Sequence, residues 1–524
     1  MTTANKQNHH SITYYNPIMP GFYPDPSVCR VGEDYYLVTS TFAYFPGVPI
    51  FHSRDLVNWK QIGNVLDRPS QVNLQGAGHS GGIFAPTIRY HEGKFYMITT
   101  NVTHGGNFVV TATNPAGPWS EPYFIQGAIG IDPTIFFDDG KAYYLGTRPN
   151  STGVRYDGNW EVWIQELNLE TMELAGESYV LWRGAMTDVI WPEGPHLYKK
   201  DGFYYLMIAE GGTGPNHAVT VARSRKLTEG YTGNPNNPII THRHLGKHYP
   251  VVNVGHADLV QAEDGQWFMV MLASRPYGGS YSNLGRETFL ASVIWEDGWP
   301  VVNEGRGILE EQGVIGLTPV PVEPQLRCDH FDSDKLALKW MFLRNPQADL
   351  YSLTERKGYL RLKIKPQTFK DQDNLSFICL RQQHFDYAAA AVMEFEARSI
   401  HESAGLAVIQ NEKFHIRFER VLHDDRQALR VVTCINGQET TVAQAEVDGP
   451  RLYLKMAARG QELSFYYSPD GDQYHLVAEH VDTSSLSTEV AGGFVGCCIG
   501  MYGTSNGTAS DNTADFDWFE YGAY

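Results

Sequence analysis

Residues 191–205 read WPEGPHLYKKDGFYY: an acid at Glu193, an apolar stretch, an Asp201-Gly202 turn and an aromatic strand ending at Tyr205. The closing phrase, an acidic or glycine turn followed by adjacent aromatics, occurs five times in the first 270 residues. Its other copies are GEDYY ending at Tyr36, EGKFY at Tyr96, DGKAYY at Tyr144 and DGQWF at Phe268. Counting back 11 or 12 residues from each ending gives Asp25, Phe84, Asp132, Glu193 and His256. Three acids and a histidine thus hold one equivalent position in a repeat. If the units surround an axis, that position converges on a single point.

The endings fall about 60, 48, 61 and 63 residues apart. That period is long for a solenoid and suits a four-stranded propeller blade with variable loops. Each unit continues into outer-strand material such as IFHSRDLVNWKQIG and TFLASVIWEDGWPVV. No long stretch has helical periodicity. The aromatic pairs are read as core that marks the register of the repeat. The proline-rich LTPVPVEPQL, residues 317–326, reads as a stiff linker. Beyond it the repeat stops and alternating strands follow, among them YLRLKIKP, AAAVMEFEAR, KFHIRFER, RLYLKMAA and DFDWFEY. The predicted organisation is all-β: a propeller over residues 1–316, the linker, and a β-sandwich over 327–524.

The chain of 524 residues is 42% hydrophobic and 19% charged, which excludes wholesale disorder. A net charge of −18 argues against nucleic acid or an anionic membrane as partner and favours a neutral ligand. Six cysteines lack paired spacing and read as free thiols in a reducing compartment. The start, MTTANKQNHHSITYY, has no apolar core of a signal peptide, and no run of apolar residues is long enough to span a bilayer. The expected location is therefore cytoplasmic. His9 and His10 read as tail rather than metal site. A homo-oligomer is compatible with the sequence.

Glycoside cleavage needs one protonated carboxyl to assist the leaving oxygen and one ionised carboxylate to activate water or attack carbon. A third carboxylate nearby raises the pKa of the acid. Asp25, Asp132 and Glu193 supply such a set, with Pro24-Asp25-Pro26 and Asp132-Pro133 stiffening the backbone. Each acid taken singly could equally be a turn carboxylate. His256 could bind a metal, orient a carboxylate or fill a polar channel. Arg286 could grip sugar hydroxyls, hold a carboxylate ionised, or pair with the adjacent Glu287. Phe42, Tyr44, Phe45 and Phe84 are candidate sugar-stacking walls, with buried core as the competing reading for at least two of them.

The stretches NPIMPGFYPDPSV, STFAYFPGVPIFHSRDLVNW, SGGIFAPTI, IDPTIFFDDG, WPEGPHLYKKDGFYYL, VGHADLV and LGRETFLASVIWEDGWPVV together resemble glycoside hydrolase family 43. The resemblance covers nearly the whole chain and includes the C-terminal domain of the two-domain β-xylosidases and α-L-arabinofuranosidases. It implies a five-bladed β-propeller followed by a concanavalin-like, jelly-roll sandwich, and cleavage with inversion. It also implies roles: Asp25 as general base, Glu193 as general acid, Asp132 as the residue tuning Glu193, and Arg286 as a contact to the non-reducing-end sugar. The histidine matching His256 helps bind a hydrated calcium ion in many relatives; no cofactor is required for the chemistry itself. A loop within Gly500–Thr508 is expected to reach over the pocket.

Two departures bear on the substrate. Many two-domain β-xylosidases carry tryptophan where this chain has Phe84, and read FEWFPG where it has FAYFPG. The resemblance therefore ranks an exo-acting α-L-arabinofuranosidase first, acting on arabinose-containing oligosaccharides with β-xylosidase side activity. A β-1,4-xylosidase acting on xylo-oligosaccharides is the alternative. A retaining fructosidase-like propeller is disfavoured because no WMNDPN-like start is present. A non-catalytic glycan-binding propeller would have no need of all three acids.

Overall fold

The repeat phrase folds as a tight hairpin. In the copies at Glu92-Gly93, Asp139-Gly140 and Asp201-Gly202 both turn residues have positive φ, between 48° and 81°. That is the mirror-image turn whose twist matches two antiparallel strands. The computed structural model describes residues 11–524, so His9 and His10 lie outside the described residues.

Each hairpin forms the inner half of a four-stranded antiparallel sheet, and five such sheets make a β-propeller. Their innermost strands are Ser27–Val31, Thr87–His91, Thr134–Asp138, Glu193–Lys200 and Val252–Gln261. The repeat aromatics join neighbouring blades. Tyr36 meets Phe95 edge-on at 5.0 Å, Tyr96 meets Phe137 at 5.3 Å, and Tyr205 meets Trp295 at 4.8 Å. The ring is tied shut where Ile12–Tyr15 pairs with Gln312–Ile315, in register from Ile12↔Ile315 to Tyr15↔Gln312. Asn16 adds side-chain hydrogen bonds to the backbone of Leu290 and Glu310.

Residues 317–326 contain no strand, and the second domain begins at Cys328–Asp329. It is a sandwich of two eight-stranded antiparallel sheets. Helix is limited, among the described residues, to a 3₁₀ turn at Ser484–Leu486 and the single turn Thr488–Ala491. Among the described residues no helix is long and apolar enough to cross a membrane.

The two domains share structure. One sandwich sheet ends in a strand donated by the propeller, Tyr44–Phe45, which pairs with Met341–Leu343. Phe45 is therefore not a sugar wall. Its backbone completes the foreign sheet, and its ring is buried in a core shared with Val48, Leu66 and Phe342. Tyr44 is likewise fully buried. Beside them Arg344 is 1% exposed; its Nε donates to the Ala77 carbonyl at 2.6 Å and its Nη2 pairs with Glu412 at 2.6 Å.

Candidate active site

The inner strand of each blade starts at one end of the ring, so the residue just before or at its start faces the axis. Asp25 and Asp132 immediately precede the prolines that lead into their strands, and Glu193 opens its own. Asp25, Asp132 and His256 have φ of 53°, 54° and 41°. Left-handed backbone is costly for such residues, and the prolines after Asp25 and Asp132, which favour extended backbone before them, add to that cost. Such positions persist only where the surroundings over-determine them. Gly194 (φ 55°) follows Glu193, and a Cβ there would stand 2.9 Å from the His256 ring. Glycine lets the acid and the histidine sit side by side.

The three acids line one cavity of about 330 Å³, with His256 and Arg286. Asp25, Asp132 and Glu193 are 4%, 7% and 7% exposed, so their charges interact in a poorly solvated space. Arg286 donates to both oxygens of Asp25, at 2.8 and 3.3 Å, and Ser40 donates to Oδ2 as well. Burial alone would raise the Asp25 pKa; Arg286, His256 and Ser40 outweigh it and hold the carboxyl below its ordinary value. The guanidinium does not pair with Glu287, whose carboxylate is taken by Arg275 at 2.7 and 2.8 Å.

Glu193 has the opposite environment. Burial, and then the charge of Asp25, push its pKa up to about 8 against the pull of Arg286. Asp132 is also pushed up, by burial and by Glu193 and Asp25. Glu193 and Asp132 are thus both pushed towards the protonated form and titrate as a pair. One ionised and one protonated carboxyl face the same small space, which is the arrangement that hydrolysis of a glycosidic bond needs. His256 Nδ1 stands 3.8 Å from Asp25 and 3.9 Å from Asp132. Burial lowers its pKa, against the pull of the Asp25 charge.

The walls are aromatic. Phe42 and Phe84 line the cavity and meet at 5.2 Å, and Trp191 lines it too, packed on Trp160 at 5.1 Å. Phe494, from the sandwich, caps the wall: its ring lies 5.9 Å from Phe42 and 6.0 Å from Phe84. Its carbonyl accepts two bonds from Arg286, and its N–H donates to Ser80. The reaching segment is thus the Gly492-Gly493-Phe494 turn. The expected Gly500–Thr508 segment mostly forms the buried strand Cys498–Thr504, paired on both edges and unable to extend over the propeller. Trp191 was within reach of the sequence, two residues before Glu193. Phe494 carries no signal beyond two glycines.

On the axis the protein itself offers few free oxygen ligands for a calcium ion. Calcium takes roughly 6–8 oxygen ligands. The carboxylate deeper in the channel, Asp258, is already saturated: Arg89, Ser27 and the Val28 N–H donate to Oδ2, and Tyr198 to Oδ1 at 2.7 Å. Arg89 also bonds His196 Nδ1 at 2.7 Å. A guanidinium therefore occupies the channel beneath the acids, and His256 offers nitrogen, a poor calcium donor. A calcium ion held beside His256, as the resemblance implies, would draw most of its oxygen ligands from water.

Residues 14–300 match Glycosyl hydrolases family 43, and residues 328–522 match the Beta xylosidase C-terminal Concanavalin A-like domain. The chain is 51% identical to a Xylosidase/arabinosidase of Butyrivibrio fibrisolvens, over 96% of this chain and 98% of that one. It is 41% identical to Non-reducing end alpha-L-arabinofuranosidase BoGH43B of Bacteroides ovatus, over 97% and 94%. The solved xylan beta-1,4-xylosidase from Bacillus Halodurans C-125 superposes with a TM-score of 0.92 at 33% identity, covering 97% of this chain and 99% of that one. A five-bladed propeller with three converging acids, a concanavalin-like second domain and full-length likeness to these enzymes together place the chain in glycosyl hydrolase family 43, as a glycosidase of the xylosidase/arabinosidase kind.

Proposed function

We propose that the enzyme removes single α-L-arabinofuranosyl residues from the non-reducing ends or side chains of arabinose-containing oligosaccharides, with β-D-xylosidase activity as a secondary action. The observation that carries the exo reading is the small cavity of about 330 Å³, capped on one side by Phe494 and walled by Phe42 and Phe84, with room for a single pentose. The relatives named for arabinofuranosidase and for xylosidase action support a pentose at this site. Phe84 in the wall supports the arabinofuranoside as the first choice.

In this mechanism Asp25, ionised by Arg286, takes a proton from a water that attacks the anomeric carbon. Glu193, kept protonated by burial and by Asp25, gives its proton to the leaving oxygen. Asp132 takes the tuning role beside Glu193, whose charge in turn raises the Asp132 pKa. Attack by water on the face opposite the leaving group inverts the anomeric centre. The phenylalanine walls exclude water and pack on the sugar face. The six unpaired cysteines support action in a reducing compartment on short, imported oligosaccharides.

The test is a side-by-side measurement of kcat/KM on aryl α-L-arabinofuranoside and aryl β-D-xyloside, with the first-formed product anomer followed by NMR. A higher value for the arabinofuranoside and an inverted product support the reading. A xyloside preference reverses the ranking, and a retained anomer removes the assignment of Asp25 as base.

A further inference from the structure

A second cavity, of about 500 Å³, adjoins the first, and Thr213 lines both. Its charge is unlike that of the rest of the molecule. The chain carries a net charge of −18, yet this wall presents Arg243 and Lys247. Among the described residues neither has a carboxylate within ion-pair distance. The Arg243 guanidinium bonds the Met186 thioether, 2.7 Å from Nη1, and its charge reaches the buried Glu210 without an ion-pair contact. Unpaired cations on a wall are available to a ligand, whereas most cations elsewhere in this chain are matched, as Arg275 is to Glu287 and Arg344 to Glu412. The wall holds one carboxylate, Glu489, and its Oε2 accepts from the Ser282 N–H at 2.7 Å.

The position of this cavity gives the cations a use. The pentose cavity holds the sugar to be released, and Glu193 delivers its proton to the oxygen that leaves. The leaving sugar must then extend away from the cavity, and the space past Thr213 receives it. We propose that this second cavity is the leaving-group site and that it selects oligosaccharides whose leaving part carries a carboxylate, namely a uronic acid branch. Arg243 supplies a planar fork for that carboxylate and Lys247 a mobile point charge. The proposal rests on Glu193 as the donor to the leaving oxygen.

The experiment compares two pentose oligosaccharides that differ only in the branch on the leaving sugar, one with a uronic acid and the other with its carboxyl-reduced, neutral counterpart. In the wild type, kcat/KM for the acidic member is expected to be about tenfold higher, through KM, and the advantage to shrink in ~0.5 M salt as exposed charges are screened. In R243Q/K247Q the advantage disappears while turnover of the neutral member stays within about twofold, since neither residue touches the reacting atoms. Equal rates for the pair in the wild type, or an advantage that survives in R243Q/K247Q, would overturn the proposal. Absence of release from the neutral member and from aryl glycosides would instead count against the glycosidase assignment of the acids. Calorimetric affinities for the same pair would then still decide the carboxylate preference.

Discussion

Asp25 and Glu193 are both buried carboxyls, and what separates them is one guanidinium. Arg286 lies 2.8 Å from Asp25 and has no bond to Glu193. The folded-state pKa of Asp25 is depressed, so its stabilising contribution is present above the ordinary carboxylate range and fades as pH falls through the folded value. Replacing Arg286 by methionine leaves a buried charge uncompensated, a change that costs roughly 3–5 kcal/mol in other proteins. The acidic limb of kcat/KM should move to higher pH in R286M, and an unmoved limb would show that Arg286 does not set the state of Asp25. Glu193 has the opposite sign. Its pKa is raised to about 8, so activity should fall as pH rises through that value. Between the ordinary carboxylate range and about 8 the unfolded chain binds fewer protons than the folded one, and stability declines across that window. E193Q removes the penalty: its melting temperature should exceed the wild-type value at pH 7 by a few degrees, at ~2–4 °C per kcal/mol, and match it near pH 4. Equal melting at both pH values would mean that Glu193 is not protonated in the folded enzyme.

At the scale of the element, the Gly492-Gly493-Phe494 turn is the one piece of the sandwich that enters the cavity. It is held at both ends of its peptide unit, by Arg286 on the carbonyl and Ser80 on the N–H. Removing the ring opens the roof without touching a reacting group. F494A should therefore raise KM by roughly tenfold, about 1.4 kcal/mol of lost binding, with a smaller change in kcat. A fall confined to kcat would assign Phe494 to the transition state instead. The blades were legible in the sequence because their hairpins need particular turn residues, and the acid-glycine pairs Asp139-Gly140 and Asp201-Gly202 supply left-handed ones. The acids were legible because they stand at a fixed distance from those turns. Phe45 and Phe494 were not. Which side of a strand faces a cavity, and which loop of a distant domain arrives there, depends on contacts across some 300 or 400 residues, such as Phe45↔Phe342 and Ser80 with Phe494. Ser376–Arg381 and Cys498–Thr504 were also missed as strands, being buried along their whole length with no polar alternation to mark them.

At the scale of the molecule, the propeller exists to bring blades far apart in sequence to one axis. The channel beneath the site is filled by the chain's own cation, Arg89, bound to Asp258 and His196. Extensive dialysis against a chelator should therefore leave kcat/KM unchanged, and a loss restored by added calcium would contradict the guanidinium as occupant. The sandwich is equally integral, since a propeller strand completes its sheet. The convergence itself is tested most directly through the leaving group. E193A should lose roughly 10²–10⁴-fold in turnover of an oligosaccharide, whose sugar oxygen needs a proton, and far less on a dinitrophenyl glycoside, whose phenolate leaves unaided. D25A, on the opposite blade, should lose activity on both substrates alike. Equal losses of E193A on the two substrates, or turnover of both at wild-type rates, would show that the acid on the fourth blade and the base on the first do not meet across one glycosidic bond.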